Sequence, residues 1–381
     1  MRDPVWRTSL VGLGLALAAC GPAPTGSTPT TAALIAAPTL ANTQAVTPVL
    51  QSEPGVSATP TPIPDTPAPS PTPGPVLRQM TTGGCCTQPF WSPDGTAIWF
   101  IDKPPDLPSG VWAVDPAAPL TANLVTERVG VLSPDGTWIA YPDGDATLIE
   151  RLSTGEVWDV PAFGRAVQFS PDGQRLAWQV ANGTENFDRR LVEVWVSALD
   201  GSNAQRVAQL FGGGLSGWLP DSRRLLITQR NAPGLSPSLG ILDPETNTFQ
   251  SLASGDFLRG VSLSPDGRWL AYTQQFSGDP ERDGLWIQAL EGGAPIKIGV
   301  FGAYRWRPDG RLVLIPLELE ASAQRILLVD ASTGDIEPLT DPALTPLHIL
   351  DGDWSLAPDG ERIAFVNRGD RNIWLLELPG R

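Results

Sequence analysis

One histidine, His348, stands in 381 residues, and that scarcity limits the chemistry before any fold is considered. A histidine-built zinc site needs two or three imidazoles. A Ser-His-Asp triad needs its histidine beside an activated serine, and no Gly-x-Ser-x-Gly elbow occurs. Asp143-Gly144-Asp145 and Asp351-Gly352-Asp353 offer oxygen ligands, but neither has the alternating ladder of a calcium loop. They read as acidic turns, so no metal and no cofactor is expected. Cys85 and Cys86 are adjacent, which leaves four readings: a disulfide between them, free thiols, a metal site or an intermolecular bridge.

Arginine supplies a positional signal. Arg128, Arg165 and Arg259 each lie seven residues before a recurring aspartate, and Arg305 lies four before one. A guanidinium group binds carboxylate or phosphate through two parallel hydrogen bonds. Gln88 occupies the equivalent lead-in segment nearer the amino terminus. These five residues are the candidate binding set. The competing reading pairs each arginine with a neighbouring carboxylate, of which the chain has an excess.

The elements that must position these residues repeat. An apolar residue followed by Ser-Pro-Asp-Gly, or a close variant, places aspartates at Asp94, Asp135, Asp172, Asp221, Asp266, Asp309 and Asp359. Their spacing of roughly 37 to 50 residues is the period of a propeller blade. Proline presets φ for a turn, aspartate bonds nearby backbone, and glycine tolerates positive φ. Short apolar runs follow each turn, such as Trp138-Ile139-Ala140-Tyr141 and Ile363-Ala364-Phe365-Val366. A third strand and a turn such as Ser332-Thr333-Gly334 come next, then a fourth strand such as Thr248–Leu252. No long stretch has helical periodicity.

The fold class predicted is all-β: a seven-bladed β-propeller of four-stranded antiparallel blades over residues 76–381, with six blades as the alternative. The last repeat ends one strand short, and Val76 to Thr81 resembles the fourth strands elsewhere. That amino-terminal strand is expected to close the last blade.

The amino terminus reads as an address. Arg2 and Arg7 precede an apolar run from Val11 to Leu17, and Leu17-Ala18-Ala19-Cys20 follows. This resembles the lipobox of bacterial lipoproteins, which implies a signal peptide over 1–19 and lipidation of Cys20. An ordinary secretory signal would equally export the chain. Residues 20–75 are rich in proline and threonine and lack an apolar pattern, so a disordered, lipid-anchored stalk is expected. Localisation follows as the outer face of the cell membrane, in the periplasm or at the cell surface, with the anchor as the only membrane contact.

The repeat resembles the TolB-type, WD-repeat-like propeller repeat across 76–381, through its Ser-Pro-Asp-Gly turn, aromatic third strand and Thr-Gly hairpin. Repeats of this type serve binding, scaffolding and enzymes alike. TolB's own partner contacts are not carried over, because the Pro/Thr segment stands where TolB has an α/β domain. The formal net charge of −15 and a pI near 4.5 argue against a nucleic-acid partner. The sequence is read as a non-enzymatic binding or scaffolding module for a protein, peptide or glycan. The alternative is a hydrolase or lyase using carboxylates in the central pocket.

Overall fold

The computed structural model describes residues 74–84, 87–183, 186, 189–255, 258–318 and 320–378. The signal segment, most of the stalk, Cys20, Cys85 and Cys86 lie outside the described residues.

Each repeat is organised by its turn. In the second one Ser133 Oγ donates to Asp135 at 2.5 Å and accepts the Trp138 N–H at 2.9 Å. Asp135 in turn accepts the Thr137 N–H at 3.0 Å. The same three-point fastening recurs at Ser92–Asp94, Ser170–Asp172 and Ser264–Asp266. The motif aspartates therefore act on backbone, as side chains that hold a turn closed. Gly136 has φ near 70°, and an added Cβ would come within 2.9 Å of Pro93 in the preceding turn. In the fourth repeat Ser222 takes the glycine place at φ 56°. Its hydroxyl earns that strain back by accepting the Asp172 N–H at 2.9 Å, across to the neighbouring repeat.

The strands follow in chain order. β1 (Val76–Gln79) precedes a sheet of β2 (Thr87–Trp91), β3 (Ile98–Asp102), β4 (Gly110–Val114) and β5 (Ala122–Thr126). The next sheet is β6 (Val131–Leu132), β7 (Trp138–Asp143), β8 (Ala146–Arg151) and β9 (Val157–Val160). One large sheet then holds β10 (Gln168–Phe169), β11 (Arg175–Asn182), β12 (Leu191–Ala198), β13 (Gln205–Trp218), β14 (Leu225–Arg230), β15 (Ser238–Asp243) and β16 (Thr248–Ser254). Two four-stranded sheets come next. One is β17 (Leu258–Leu263), β18 (Trp269–Gln274), β19 (Gly284–Ala289) and β20 (Ile296–Ile298); the other is β21 (Gly302–Trp306), β22 (Leu312–Pro316), β23 (Leu327–Val329) and β24 (Ile336–Pro338). The last is β25 (Ile349–Leu356), β26 (Arg362–Asn367) and β27 (Ile373–Glu377), joined by β1.

This corrects the expected seven four-stranded blades. The described residues form five four-stranded blades, and the third and fourth repeats share one seven-stranded sheet. The cause is β13, 14 residues long, which is the fourth strand of one repeat and the first of the next without a break. Its middle is Gly212-Gly213-Gly214, where the register slips. A Cβ on Gly213 would lie 1.8 Å from the Thr228 carbonyl oxygen, so only glycine passes here.

The amino-terminal strand does pair with the last sheet. β1 runs antiparallel to β27, Val76 opposite Glu377 and Gln79 opposite Trp374. Arg78 bonds Glu377, and the Ile373 N–H donates to Thr81 Oγ1 at 2.8 Å. The core lies between consecutive sheets. Ile98, Phe100 and Trp112 of the first four-stranded sheet pack on Ala364, Val366, Ile373 and Leu375 of the last. Each such large apolar side chain contributes about 1.5–3 kcal/mol on burial. Arg362 crosses the same seam, donating to the Gly95 carbonyl at 2.8 Å. β2 and β21 both lie against β25, so the first strands of successive sheets meet on the inside.

Candidate functional site

The inner strands are where the ladder is least regular. Register slips between Thr87 and Phe90 in β2, between Arg259 and Ser262 in β17, and between Ile349 and Trp354 in β25. A bulge turns side chains out of the regular alternation, and these bulges do so at the axis. Gln88 sits inside one of them with φ 53°.

That bulge aims the Gln88 N–H at the Asp353 carboxylate. Burial pushes the Asp353 pKa up, against the pull of the Gln88 N–H and of the Arg371 charge. The shift is opposite in direction to that of the motif aspartate Asp94, which the bonds from Ser92 and Thr96 hold down. A half-buried carboxyl with a raised pKa keeps its proton at higher pH and is suited to acid–base transfer.

Beside it on β25, Trp354 lies under Arg305 of β21, whose guanidinium is 4.9 Å from the ring centroid. Arg305 donates to the Tyr304 carbonyl at 2.8 Å and more weakly to the Trp354 carbonyl at 3.5 Å. Arg305 is exposed, and desolvation lowers its pKa. Tyr304 is buried, its phenol pushed up by burial, and its hydroxyl donates to the Gly260 carbonyl of β17. Four neighbouring inner strands, β17, β21, β25 and β2, thus form one connected arc.

The sequence-predicted residues divide. Gln88 and Arg305 meet in this arc through Asp353 and Trp354. Arg259 stands on its β17 end, exposed, with no ion pair among the described residues. Arg128 follows the competing reading: it pairs with Glu150 at 3.3 Å and lies 5.0 Å from the Tyr141 ring centroid. Arg165 turns back on its own loop, donating to the Phe163 carbonyl at 3.1 Å. His348 is exposed just ahead of β25, its carbonyl accepting the Arg368 N–H at 2.7 Å. Sequence reading missed Asp353 and Trp354. In the sequence Asp353 reads as part of an acidic turn, because nothing local shows that β25 is bulged. Among the described residues no group of three or more His, Cys, Asp or Glu side chains is placed to hold a metal ion.

No family model matches the chain. A dipeptidyl-peptidase 5 from Arthroderma otae is 30% identical over 281 residues, which is 71% of this chain and 32% of that protein. The chain therefore spans about a third of the length of the curated relative it matches. An oligogalacturonate lyase solved in complex with manganese is similar in fold, with a TM-score of 0.59 at 16% identity, over 81% of this chain and 98% of that one. TolB from Acinetobacter baumannii overlaps at a TM-score of 0.40 and 18% identity, over 64% of this chain and 63% of that one. The sequence reading of a non-enzymatic module is corrected by the first of these: the protein matched over most of the chain is an enzyme.

Proposed function

We propose that the chain belongs to a hydrolase acting on peptides, with substrate engaged at the inner-strand arc of the propeller. The observation that carries this is Asp353, a half-buried carboxyl whose pKa burial raises against the pull of the Gln88 N–H and the Arg371 charge, on the same strand as Trp354, on whose ring Arg305 rests. The curated relative over 281 residues is a peptidase, which favours a peptide as the substrate. In hydrolysis water adds to the scissile carbonyl, the C–N bond breaks, and the departing amine takes a proton. Asp353 is the group proposed to move that proton, with Arg305 orienting the peptide. The test is cleavage of a peptide library by the full chain and by Asp353→Asn. Loss of turnover by about a hundredfold or more supports the role. Full activity in Asp353→Asn removes Asp353 from it, and no cleavage by the unaltered protein removes the hydrolase reading.

We propose further that the chain is exported and carries its lipid on Cys20, which would hold it on the outer face of the cell membrane. Mass spectrometry of the membrane fraction tests it. A mature amino terminus at any residue other than Cys20, or an unmodified Cys20, rejects the anchor.

A further inference from the structure

Four loops at one end of the propeller hold large apolar side chains in solvent. The sheets are antiparallel, so the hairpins β18–β19 and β22–β23 open at the same end as the connections β20–β21 and β24–β25. Phe276 and Leu317 lie in the hairpins, Phe301 and Leu344 in the connections. Leu344 is 82% exposed, Phe276 78%, Leu317 59% and Phe301 38%. The loops touch: the Leu317 N–H donates to the Phe301 carbonyl at 2.9 Å, and the Gln324 N–H to the Leu347 carbonyl at 2.8 Å. Each is also tied internally. Asp279 accepts the Glu281 N–H at 2.9 Å, Asp283 accepts the Ser277 N–H at 3.0 Å, and Lys297 Nζ donates to the Pro280 carbonyl at 2.8 Å. These bonds hold Phe276 at φ 56°, a conformation that a bulky side chain rarely takes. Asp341 accepts the Ala343 N–H at 2.9 Å, and its carbonyl accepts the Thr345 N–H at 2.8 Å, which fixes the turn that carries Leu344. A single exposed apolar residue is ordinary, whereas a group of them on pre-formed loops marks an interaction surface.

The charge around these side chains is one-sided. Among the described residues the four loops carry six carboxylates, Asp279, Glu281, Asp283, Glu318, Glu320 and Asp341, against Arg282 and Arg325. Arg325 is paired with Glu318 at 2.6 Å. Glu281 and Glu320 are exposed and enter no ion pair among the described residues. A complementary partner presents an apolar side edged with lysine or arginine, while a second copy of this chain would bring the same carboxylates against them. We propose that this end of the propeller docks a basic amphipathic segment of a partner protein, its apolar residues on Phe276, Phe301, Leu317 and Leu344 and its cations toward Glu281 and Glu320. The proposal is independent of the hydrolase reading.

The experiment measures binding of the full chain, by fluorescence anisotropy, to three labelled peptides. The first is Lys-Leu-Phe-Lys-Lys-Leu-Leu-Lys; the second has serine for every Leu and Phe, and the third has Glu for every Lys. The first is expected to bind about tenfold or more tightly than either of the others at about 0.15 M salt. The double variant Phe276→Ser, Leu344→Ser is expected to bring the ratio of first to second peptide to about one, with a thermal melt confirming that it is folded. Leu317→Ser alone serves as the second variant and should lower the ratio in part. Glu281→Gln with Glu320→Gln should weaken the first peptide about threefold or more and reduce its salt dependence. Equal binding of the first and second peptides overturns the proposal, because any cation then suffices, and so does an unchanged ratio in the folded double variant. Failure of the first peptide to bind overturns it as well. Sedimentation that shows a dimer abolished by the double variant, without a peptide preference, overturns it in favour of a second copy. Adsorption to phosphatidylcholine vesicles without a peptide preference overturns it in favour of a lipid surface.

Discussion

Arg305 of β21 rests on Trp354 of β25, the guanidinium 4.9 Å from the ring centroid, and the two side chains bear different kinds of load. Trp354 is 3% exposed and fills the seam between its sheet and the preceding one. Trp354→Ala is expected to cost about 3–5 kcal/mol, read as a lower denaturant midpoint. Arg305 is open to solvent, so Arg305→Ala should cost about 1 kcal/mol or less while weakening peptide binding. Equal losses of stability would show that Arg305 is structural.

Asp353 predicts a pH dependence. Its folded pKa is raised, chiefly by burial. The native state then holds the proton more tightly than the unfolded chain, so this carboxyl's contribution to stability falls as pH rises from the unfolded pKa through the folded one. Asp353→Asn should flatten that slope and leave the protein at least as stable at neutral pH. Urea midpoints measured from about pH 4 to 8 check the direction.

The motif turns predict the opposite slope. At Asp135 partial burial works upward, but the bonds from Ser133 and Thr137 outweigh it and the pKa is lowered. Asp172 and Asp266 are lowered against burial in the same way, by Ser170 and Ser264 first. Their stabilisation is complete above the unfolded carboxylate range and is lost as pH falls through the folded pKa. Acid unfolding should therefore begin below about pH 4. Ser133→Ala strips the Trp138 N–H and Asp135 of a shared partner, and is expected to cost about 1–3 kcal/mol at neutral pH by chemical denaturation.

Deleting Val76 to Thr82 should destabilise the protein far more than deleting residues 21–75. The first deletion uncovers β27 and removes the buried Met80 and Thr81. Thermal melts of the two truncated proteins decide it, and equal melting temperatures would mean that β1 contributes no closure.

Gly213 and Gly217 test the shared strand. Gly213→Ala drives a methyl into the Thr228 carbonyl and is expected to cost more than about 2 kcal/mol. Gly217→Ala meets nothing nearer than Gln168 Oε1 at 3.8 Å and should be tolerated to within about 1 kcal/mol. The pair of denaturation curves should separate accordingly.

The sequence by itself determined the repeat, its turns and the strand that closes the last sheet. Those depend on local chemistry: proline, aspartate and glycine set a turn through atoms a few residues apart, as Ser133, Asp135 and Trp138 show. It also put Gln88, Arg259 and Arg305 in the segments that lead into a motif turn, and those segments are the first strands β2, β17 and β21 of their sheets. Only the tertiary structure decided that β13 runs unbroken through two repeats, since that turns on the space beside Gly213 left by the Thr228 backbone. It alone assigned Arg128 to Glu150 and Arg165 to its own loop, while Arg259 kept no ion pair among the described residues. Asp353 was beyond local reading for the same reason: its raised pKa and its bond from Gln88 arise where two bulged strands, remote in sequence, meet at the axis.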